Sequence, residues 1–317
     1  MRKKLWRWTR HTSAYLAVLG LRLVLERIPR RAALKLGDLG GRLAYRLLST
    51  ARRRTQEHIK MVLGLGGEEL KELSERVFRE FGANVVEFLR LRVLLEKGLD
   101  GLVRAEGLEN LDRALSEGRG AIAITGHLGN WELLGAYLAG KGYPVYVVGR
   151  KLFDERIDRF VVGYREMAGV HNVPRGEDAR TLLRVLRRGK VLGLLMDQDT
   201  KVQGTFVPFL GKVAYTPSGP VKLAMRTGSP IVPMALYREG EGYRLVVLPP
   251  IQPPEDVEEG LRMCNEALEH LILTHPEQWA WMHRRWKTRP GGEDAMVRSG
   301  DDMSSGLFQG TPRCPVG

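Results

Sequence analysis

The chain has 317 residues, 43% of them hydrophobic, 7% aromatic and 27% charged, a balance that fits one or two globular domains and excludes a wholly disordered, collagen-like or polytopic membrane chain. Its two cysteines, Cys264 and Cys314, stand at neither redox nor metal-ligand spacing, which excludes a disulfide scaffold and leaves a reducing, cytosol-facing setting as the expectation. The net charge of +13 is confined to one end: residues 1–60 hold 16 Lys/Arg against Glu26, Asp38 and Glu57, and the remaining 34 basic and 34 acidic residues cancel. A basic segment of this kind implies an anionic partner such as a membrane surface, a phosphorylated lipid or a nucleic acid.

Taken in chain order, Arg2, Lys3, Lys4, Arg7 and Arg10 precede an apolar run, Ala14 to Leu21, that continues past Arg22 and Glu26 to Ile28. The run is short for a span, which needs roughly 20 mainly apolar residues, and Arg22 and Glu26 stand four apart, where they can pair on one helical face. Residues 1–30 therefore read as a helix lying in or on a membrane, ahead of a single span. A cleaved signal is ranked below both, since no small-residue cleavage site follows the run. Five of the six tryptophans, Trp6, Trp8, Trp279, Trp281 and Trp286, neighbour basic residues, a pairing expected at lipid headgroups and shared by single-strand nucleic-acid sites.

Residues 31–102 read as helical, with apolar spacing in 34–48 and 70–95 and a break at Leu63-Gly64-Leu65-Gly66-Gly67. From about Val103 short apolar runs, 121–125, 145–148 and 191–196, alternate with helical segments 129–139, 154–168 and 177–188. Runs 231–237 and 243–248 extend the series and 255–273 reads as a closing helix. Alternation of this kind predicts an α/β fold over 103–290, with a mostly parallel central sheet flanked by helices. Residues 291–317 turn to Gly, Asp, Ser and Pro and read as a disordered tail.

The sharpest chemical feature is Thr125-Gly126-His127-Leu128-Gly129-Asn130-Trp131-Glu132, where a predicted strand gives way to a predicted helix, the place where α/β sheets carry active sites. His127 on that turn and Glu132 five residues on can approach, so that Glu132 holds one ring nitrogen's proton and leaves the other as a base. The same spacing is met by a histidine that caps a helix and an acid that complements its dipole. No Ser or Cys stands in an elbow such as G-x-S-x-G, so the nucleophile is expected on the substrate. No metal is expected, because the spacing is not H-E-x-x-H and His270 with His275 lacks a third ligand.

Several ordered blocks resemble the late acyltransferases of lipid A biosynthesis, within the HxxxxE/D acyltransferase superfamily. Gly126 to Glu132 is similar to the HxxxxE/D motif. Met196-Asp197-Gln198-Asp199 with Thr205-Phe206-Val207-Pro208-Phe209-Leu210-Gly211 resembles the family's D-x-D and F-V-P-F-F-G segments. Thr216 to Pro233 matches the next block, and Pro276-Glu277-Gln278-Trp279 with His283 to Pro290 the C-terminal signature.

The resemblance implies an enzyme at the cytoplasmic face of the bacterial inner membrane that moves an acyl chain from acyl carrier protein to a phosphorylated glycolipid. The carrier is a co-substrate, and no cofactor, metal or nucleic acid is required. It implies His127 as base and Glu132 as its orienter. It also offers Arg150, Asp197, Asp199, Arg175 and Lys212 as substrate-binding residues, with Asp197 and Asp199 orienting Arg150 or the acceptor sugar. Leu133, Leu134 and Phe209 are candidates for an acyl groove, with core packing the stronger reading. Phe206 to Gly211 stands where glycerolipid relatives carry a Gly-Thr-Arg element after F-P-E, which disfavours a glycerol phosphate acceptor. The phosphatidylinositol-mannoside acyltransferases share the same blocks, typically with Asp at the position of Glu132, and use acyl-coenzyme A; they are the alternative. A non-catalytic basic protein on membranes or nucleic acid leaves the blocks after residue 120 without a role.

Overall fold

The computed structural model describes residues 2–152, 154–174, 176 and 179–290, with side chains from 12 onward apart from 14. In these residues α1 (Arg2–Arg27), α2 (Arg30–Leu47), α3 (Ser49–Leu63), α4 (Gly67–Leu89) and α5 (Leu91–Lys97) come first. Strands and helices then alternate: β1 (Val103–Glu106), α6 (Leu108–Ser116), β2 (Ala121–Thr125), α7 (Trp131–Gly140), β3 (Val145–Gly149), α8 (Glu155–Met167), β4 (His171–Pro174), α9 (Ala179–Arg187) and β5 (Val191–Leu195). A hairpin of β6 (Gly204–Phe209) and β7 (Lys212–Pro217) follows, then α10 (Gly219–Thr227), β8 (Ile231–Glu239), β9 (Gly242–Val247), α11 (Val257–Thr274) and a 3-10 turn, Pro276–Gln278.

The main sheet has the order β1-β9-β8-β2-β5-β3-β4. Strands β8, β2, β5, β3 and β4 run parallel, β9 returns antiparallel to β8, and β1 lies parallel to β9. Helices cover both faces, which is why β2 is buried along its whole length and reads as an unbroken apolar run. One core cluster packs α11 and the C-terminal tryptophans against one face, and a second packs α6, α7 and α8 against the other. The mostly parallel α/β expectation is met, and the runs at 121–125, 145–148, 191–196, 231–237 and 243–248 are β2, β3, β5, β8 and β9.

Strand β4 went unread because only Val173 of its four residues is buried, as suits a sheet edge. The β6–β7 pair went unread because it stands apart from the main sheet and carries Pro208 in its ladder. Helix α3 ends at Gly64 in the left-handed conformation, φ 68°, and α4 begins at Gly67, so the glycine break does divide two helices.

The helical region is tied to the sheet by charge as well as by packing. Glu87 of α4, fully buried, meets Arg30 at 2.8 Å and Arg238 of β8 at 3.8 Å, while Arg238 also reaches Glu80 at 3.1 Å and the Asn84 Oδ1 at 2.8 Å. Arg90 donates to the carbonyls of Leu25 and Ile28, anchoring the end of α1. The expected Arg22–Glu26 pair forms at 2.9 Å. No described helix is long and apolar enough to cross a membrane. Leu16, Leu21, Leu23 and Val24 of α1 and Leu36, Leu39, Leu43 and Leu47 of α2 are exposed. The tail 291–317 and the side chains of Trp6 and Trp8 lie outside the described residues.

Candidate active site

The sheet register builds the site. Thr125, the last residue of β2, pairs with Leu195, the last of β5, so the side chains two residues beyond each strand, His127 and Asp197, emerge side by side at the carboxyl edge. His127 Nδ1 lies 2.8 Å from Asp197 Oδ1. The backbone N–H of His127 donates to Oδ2 at 2.7 Å, and the Trp279 indole N–H donates to the same oxygen at 2.9 Å. Gly126 lies against this carboxylate, with no side chain to hold it off.

The turn is fixed on three sides. The N–H of Gly129 donates to Gln278 O and that of Asn130 to Leu236 O, while Ala280 N–H donates to His127 O. Gly129 has φ +54°, and a Cβ there would run into the Leu236 carbonyl, so only glycine lets the turn lie on β8. Asn84 of α4 donates to Gly129 O at 2.7 Å. The Asn130 side chain accepts from Leu133 N–H and caps α7.

This geometry sets the protonation states. Burial alone would raise the Asp197 pKa, but the His127 ring and the converging N–H donors outweigh it and hold the carboxyl well below the usual carboxylate range. Burial likewise works against a charged His127, and Asp197, helped by Glu132, outweighs it and raises the imidazole above its ordinary value. The carboxylate can only accept at Nδ1, so it fixes the ring proton there and leaves the Nε2 lone pair free. Gln198 Nε2 stands 3.1 Å from the Nε2 atoms of both His127 and His283, whose ring centroids are 4.6 Å apart. Burial and then the neighbouring His127 push His283 down to about 4. One imidazole is thus made more basic and its neighbour kept neutral.

The orienting role expected of Glu132 requires correction. Its carboxylate is held by Arg165 in a two-pronged pair, 2.6 and 2.9 Å, and it acts on His127 only through its charge. Asp197 supplies the contact instead. Asp197 and Asp199 do not orient Arg150: Asp197 is committed to His127 and Trp279, and Asp199 accepts from the backbone and hydroxyl of Thr288 at 2.6 and 3.1 Å. Arg150 is exposed just past β3, which β5 separates from β2, and Lys212 is exposed at the start of β7. Arg175 lies outside the described residues.

The C-terminal tryptophans also depart from expectation. Trp279 and Trp281 are core residues, 1% and 0% exposed, rather than headgroup anchors. Phe209 and Leu133 are core as well. The expectation had no role for Gln198, His283, Arg165 or Asn84; the first two sit within the motif blocks, and nothing in the sequence marks the others.

Between the sheet and helices α7 and α8 lies an open cavity. Its walls are apolar, among them Leu134, Leu138, Val147, Val170 and Met234, with the Glu132–Arg165 pair as the charged exception. Trp131 joins it to the base: the indole is one of its walls and meets the His127 ring edge-on, centroids 5.0 Å apart. A histidine base locked by a buried carboxylate beside an apolar cavity can activate a hydroxyl next to a bound hydrocarbon chain.

The chain is similar to known acyltransferases. The chain is 30% identical over 185 residues to the phosphatidylinositol mannoside acyltransferase of Mycobacterium tuberculosis (strain ATCC 25618 / H37Rv), covering 57% of this chain and 58% of that enzyme, so the match spans less than two thirds of the mycobacterial relative. It is 26% identical over 281 residues to the lipid A biosynthesis lauroyltransferase of Escherichia coli (strain K12), covering 86% and 91%. With the palmitoleoyltransferase of the same organism it shares 27% over 234 residues, 72% and 76% of the two chains. The model of the bacterial lipid A biosynthesis acyltransferase family matches residues 2–288, nearly the whole chain, and the protein belongs to that family.

Proposed function

We propose that the protein is an O-acyltransferase that moves a fatty acyl chain from acyl carrier protein to a hydroxyl of a lipid A precursor, with His127 as general base and no acyl-enzyme. The observation that carries this reading is the His127–Asp197 pair, which keeps the ring proton on Nδ1 and leaves Nε2 unprotonated, beside the apolar cavity. The acceptor hydroxyl would take the place of the Gln198 amide at Nε2 and give up its proton there. Its oxygen attacks the thioester carbonyl, the tetrahedral intermediate collapses, the C–S bond breaks, and the thiolate takes the proton back from the imidazolium. Asp197 stabilises that imidazolium throughout. The thiol leaves readily, so the remaining work is to align the two substrates and to stabilise the oxyanion. The cavity would hold the donor chain, with Glu132–Arg165 closing one wall.

The setting proposed is the cytoplasmic face of the inner membrane. The exposed leucines of α1 and α2, with Arg31, Lys35 and Arg46 exposed beside them, suit a helix pair resting on anionic lipid. A second acceptor, a phosphatidylinositol mannoside acylated from acyl-coenzyme A, is favoured by the 30% identity to the mycobacterial enzyme. The test is acyl transfer by the detergent-solubilised protein from both donor types to both acceptors, with His127→Ala as control. Transfer by the wild type that is lost in folded His127→Ala supports the reading. Transfer that survives in the variant sinks the catalytic assignment, and none from any donor sinks the function.

A further inference from the structure

During the transfer negative charge gathers on the carbonyl oxygen of the acyl group, two bonds from the hydroxyl oxygen seated at His127 Nε2, so a hydrogen-bond donor that stabilises it must lie beside that nitrogen. The N–H groups of the turn are spent: His127 donates to Asp197, Gly129 to Gln278 O and Asn130 to Leu236 O. The Trp279 indole is spent on Asp197, and the Arg165 guanidinium on Glu132 and Asn172. The Gln198 amide nitrogen, by contrast, sits in the wedge between two imidazoles, 3.1 Å from Nε2 and 3.2 Å from Nδ1 of both His127 and His283, with no oxygen acceptor among the described residues. Nearly equidistant from both nitrogens of each ring, it is in line with neither lone pair, so its N–H groups are held weakly. Asp197 keeps the His127 proton at Nδ1, so the lone pair at Nε2 calls for the NH2 end of the amide and not its carbonyl. An anionic oxygen is a far better acceptor than either ring.

We propose that the Gln198 side-chain amide is an oxyanion donor of the transfer, and that His283 is the positioning residue that turns this amide toward His127. The proposal rests on the acyl-transfer reading of the site. The chain fixes Gln198 from both sides: Asp197 is locked onto His127 and Asp199 onto Thr288, so the backbone cannot retreat and the amide moves only about its own side-chain bonds. The hydroxyl that displaces the amide from Nε2 therefore leaves it alongside. As the O–C bond forms and the hydroxyl proton passes to Nε2, the π pair of the carbonyl moves onto its oxygen, which accepts from an N–H of Gln198. When the intermediate collapses that pair re-forms the carbonyl, the C–S bond breaks, and the thiolate takes the proton from the imidazolium. The His283 ring makes no other hydrogen bond among the described residues, and burial, then His127, push its pKa down to about 4. Uncharged at neutral pH, it offers the amide a lone pair and orients it without setting a second cation beside the imidazolium.

The experiment compares two donors on acyl carrier protein that carry the same acyl chain, a thioester and its dithioester analogue, in which the carbonyl oxygen becomes a sulfur that accepts hydrogen bonds weakly. Gln198→Met, close in shape and without a donor, should lower kcat on the thioester by roughly 10²- to 10³-fold with KM little changed, and should lower it at least about tenfold less on the dithioester. Gln198→Glu, which keeps the shape and sets a carboxylate against the oxyanion, should be no more active on the thioester than Gln198→Met. His283→Leu should give a smaller loss with the same preference for the thioester, and His283→Asn, which restores an acceptor for the amide, should recover part of it. Thermal midpoints establish that each variant is folded. Equal falls on the two donors, or an unchanged kcat in folded Gln198→Met, would overturn the donor role, and a His283→Leu loss that is the same on both donors would overturn the positioning role. With the wild type active and His127→Ala inactive, either result leaves the proposed function standing, whereas no transfer by the wild type refutes that function and the donor role with it.

Discussion

Replacing Asp197 by Asn tests the center of the mechanism with a change of a few atoms. The carboxylate receives bonds at 2.8 Å from His127 Nδ1, 2.7 Å from the His127 backbone and 2.9 Å from Trp279. An amide accepts on one side only. If its oxygen takes the Oδ2 place, where two N–H groups converge, its –NH2 faces Nδ1, the ring proton shifts to Nε2 and the base is lost. The opposite flip sets two N–H donors against –NH2 and costs about 1–3 kcal/mol for each, so the first arrangement prevails. The expected fall in kcat is roughly 10³- to 10⁴-fold, equivalent to about 4–5.5 kcal/mol in the barrier. The pH profile carries a second signature. Asp197 raises the His127 pKa, so wild-type activity should fall as the pH drops through a value above that of ordinary imidazole, and residual activity of the variant should fall at a lower pH. Initial rates of acyl transfer across the imidazole range measure both. A folded variant that keeps more than about a third of wild-type kcat, or an acid limb that does not move, refutes the assignment of Asp197.

Other consequences are open to measurement. Glu132→Gln leaves Arg165 unpaired at an apolar cavity and should cost roughly 3 kcal/mol of stability, read from the denaturant midpoint; a loss below about 0.5 kcal/mol would mean that the pair is solvent-weakened and dispensable. Gly129→Ala forces a Cβ toward Leu236 O at φ +54° and should destabilise by at least about 1–2 kcal/mol while displacing His127, so an unaltered thermal midpoint would contradict the close approach. Gly135 lines the cavity, and a Cβ there would sit 3.5 Å from Val170. Gly135→Val should therefore shorten the preferred donor chain, at about 0.8 kcal/mol or fourfold in kcat/KM for each methylene denied burial, and an unchanged chain-length profile would move the acyl site elsewhere. Folded His283 titrates at about 4 against 6.5 when free, so only the unfolded chain takes up that proton on acidification. Between those values stability should fall with pH by up to about 3 kcal/mol; His283→Gln should flatten that slope, and an identical slope in the variant would contradict the burial of this imidazole.

The parts of this molecule legible in the sequence are those whose cause is local. Buried strands such as β2 and β5 declare themselves as short apolar runs between glycines, and the turn at His127 stands out because a strand signal stops there and a capping Asn130 starts a helix. That His127 meets Asp197 and not Glu132 has a physical cause. Nearness in sequence makes Glu132 a neighbour, whereas Asp197 becomes one only because β5 inserts between β2 and β3, a pairing of strands that sequence order does not disclose. The tryptophans misled in the same way: Trp279 has basic neighbours in sequence, yet tertiary packing turns its indole inward onto the Asp197 carboxylate.

The buried charges that join α4 to β8 also bear on how the molecule comes apart. Arg238 of β8 reaches Glu80 of α4 at 3.1 Å and Glu87 at 3.8 Å across the boundary between the helical region and the sheet, so separating the two would strand the arginine's charge in a nearly dry surface. Partial opening along that seam is therefore costlier than its apolar area alone suggests. The helices and the sheet should lose structure in a single cooperative step, with slow amide exchange in α4 matching that of β8. Trimming the chain to residues 103–290 would then yield no smaller folded unit, only a sheet with Arg238 left unpaired.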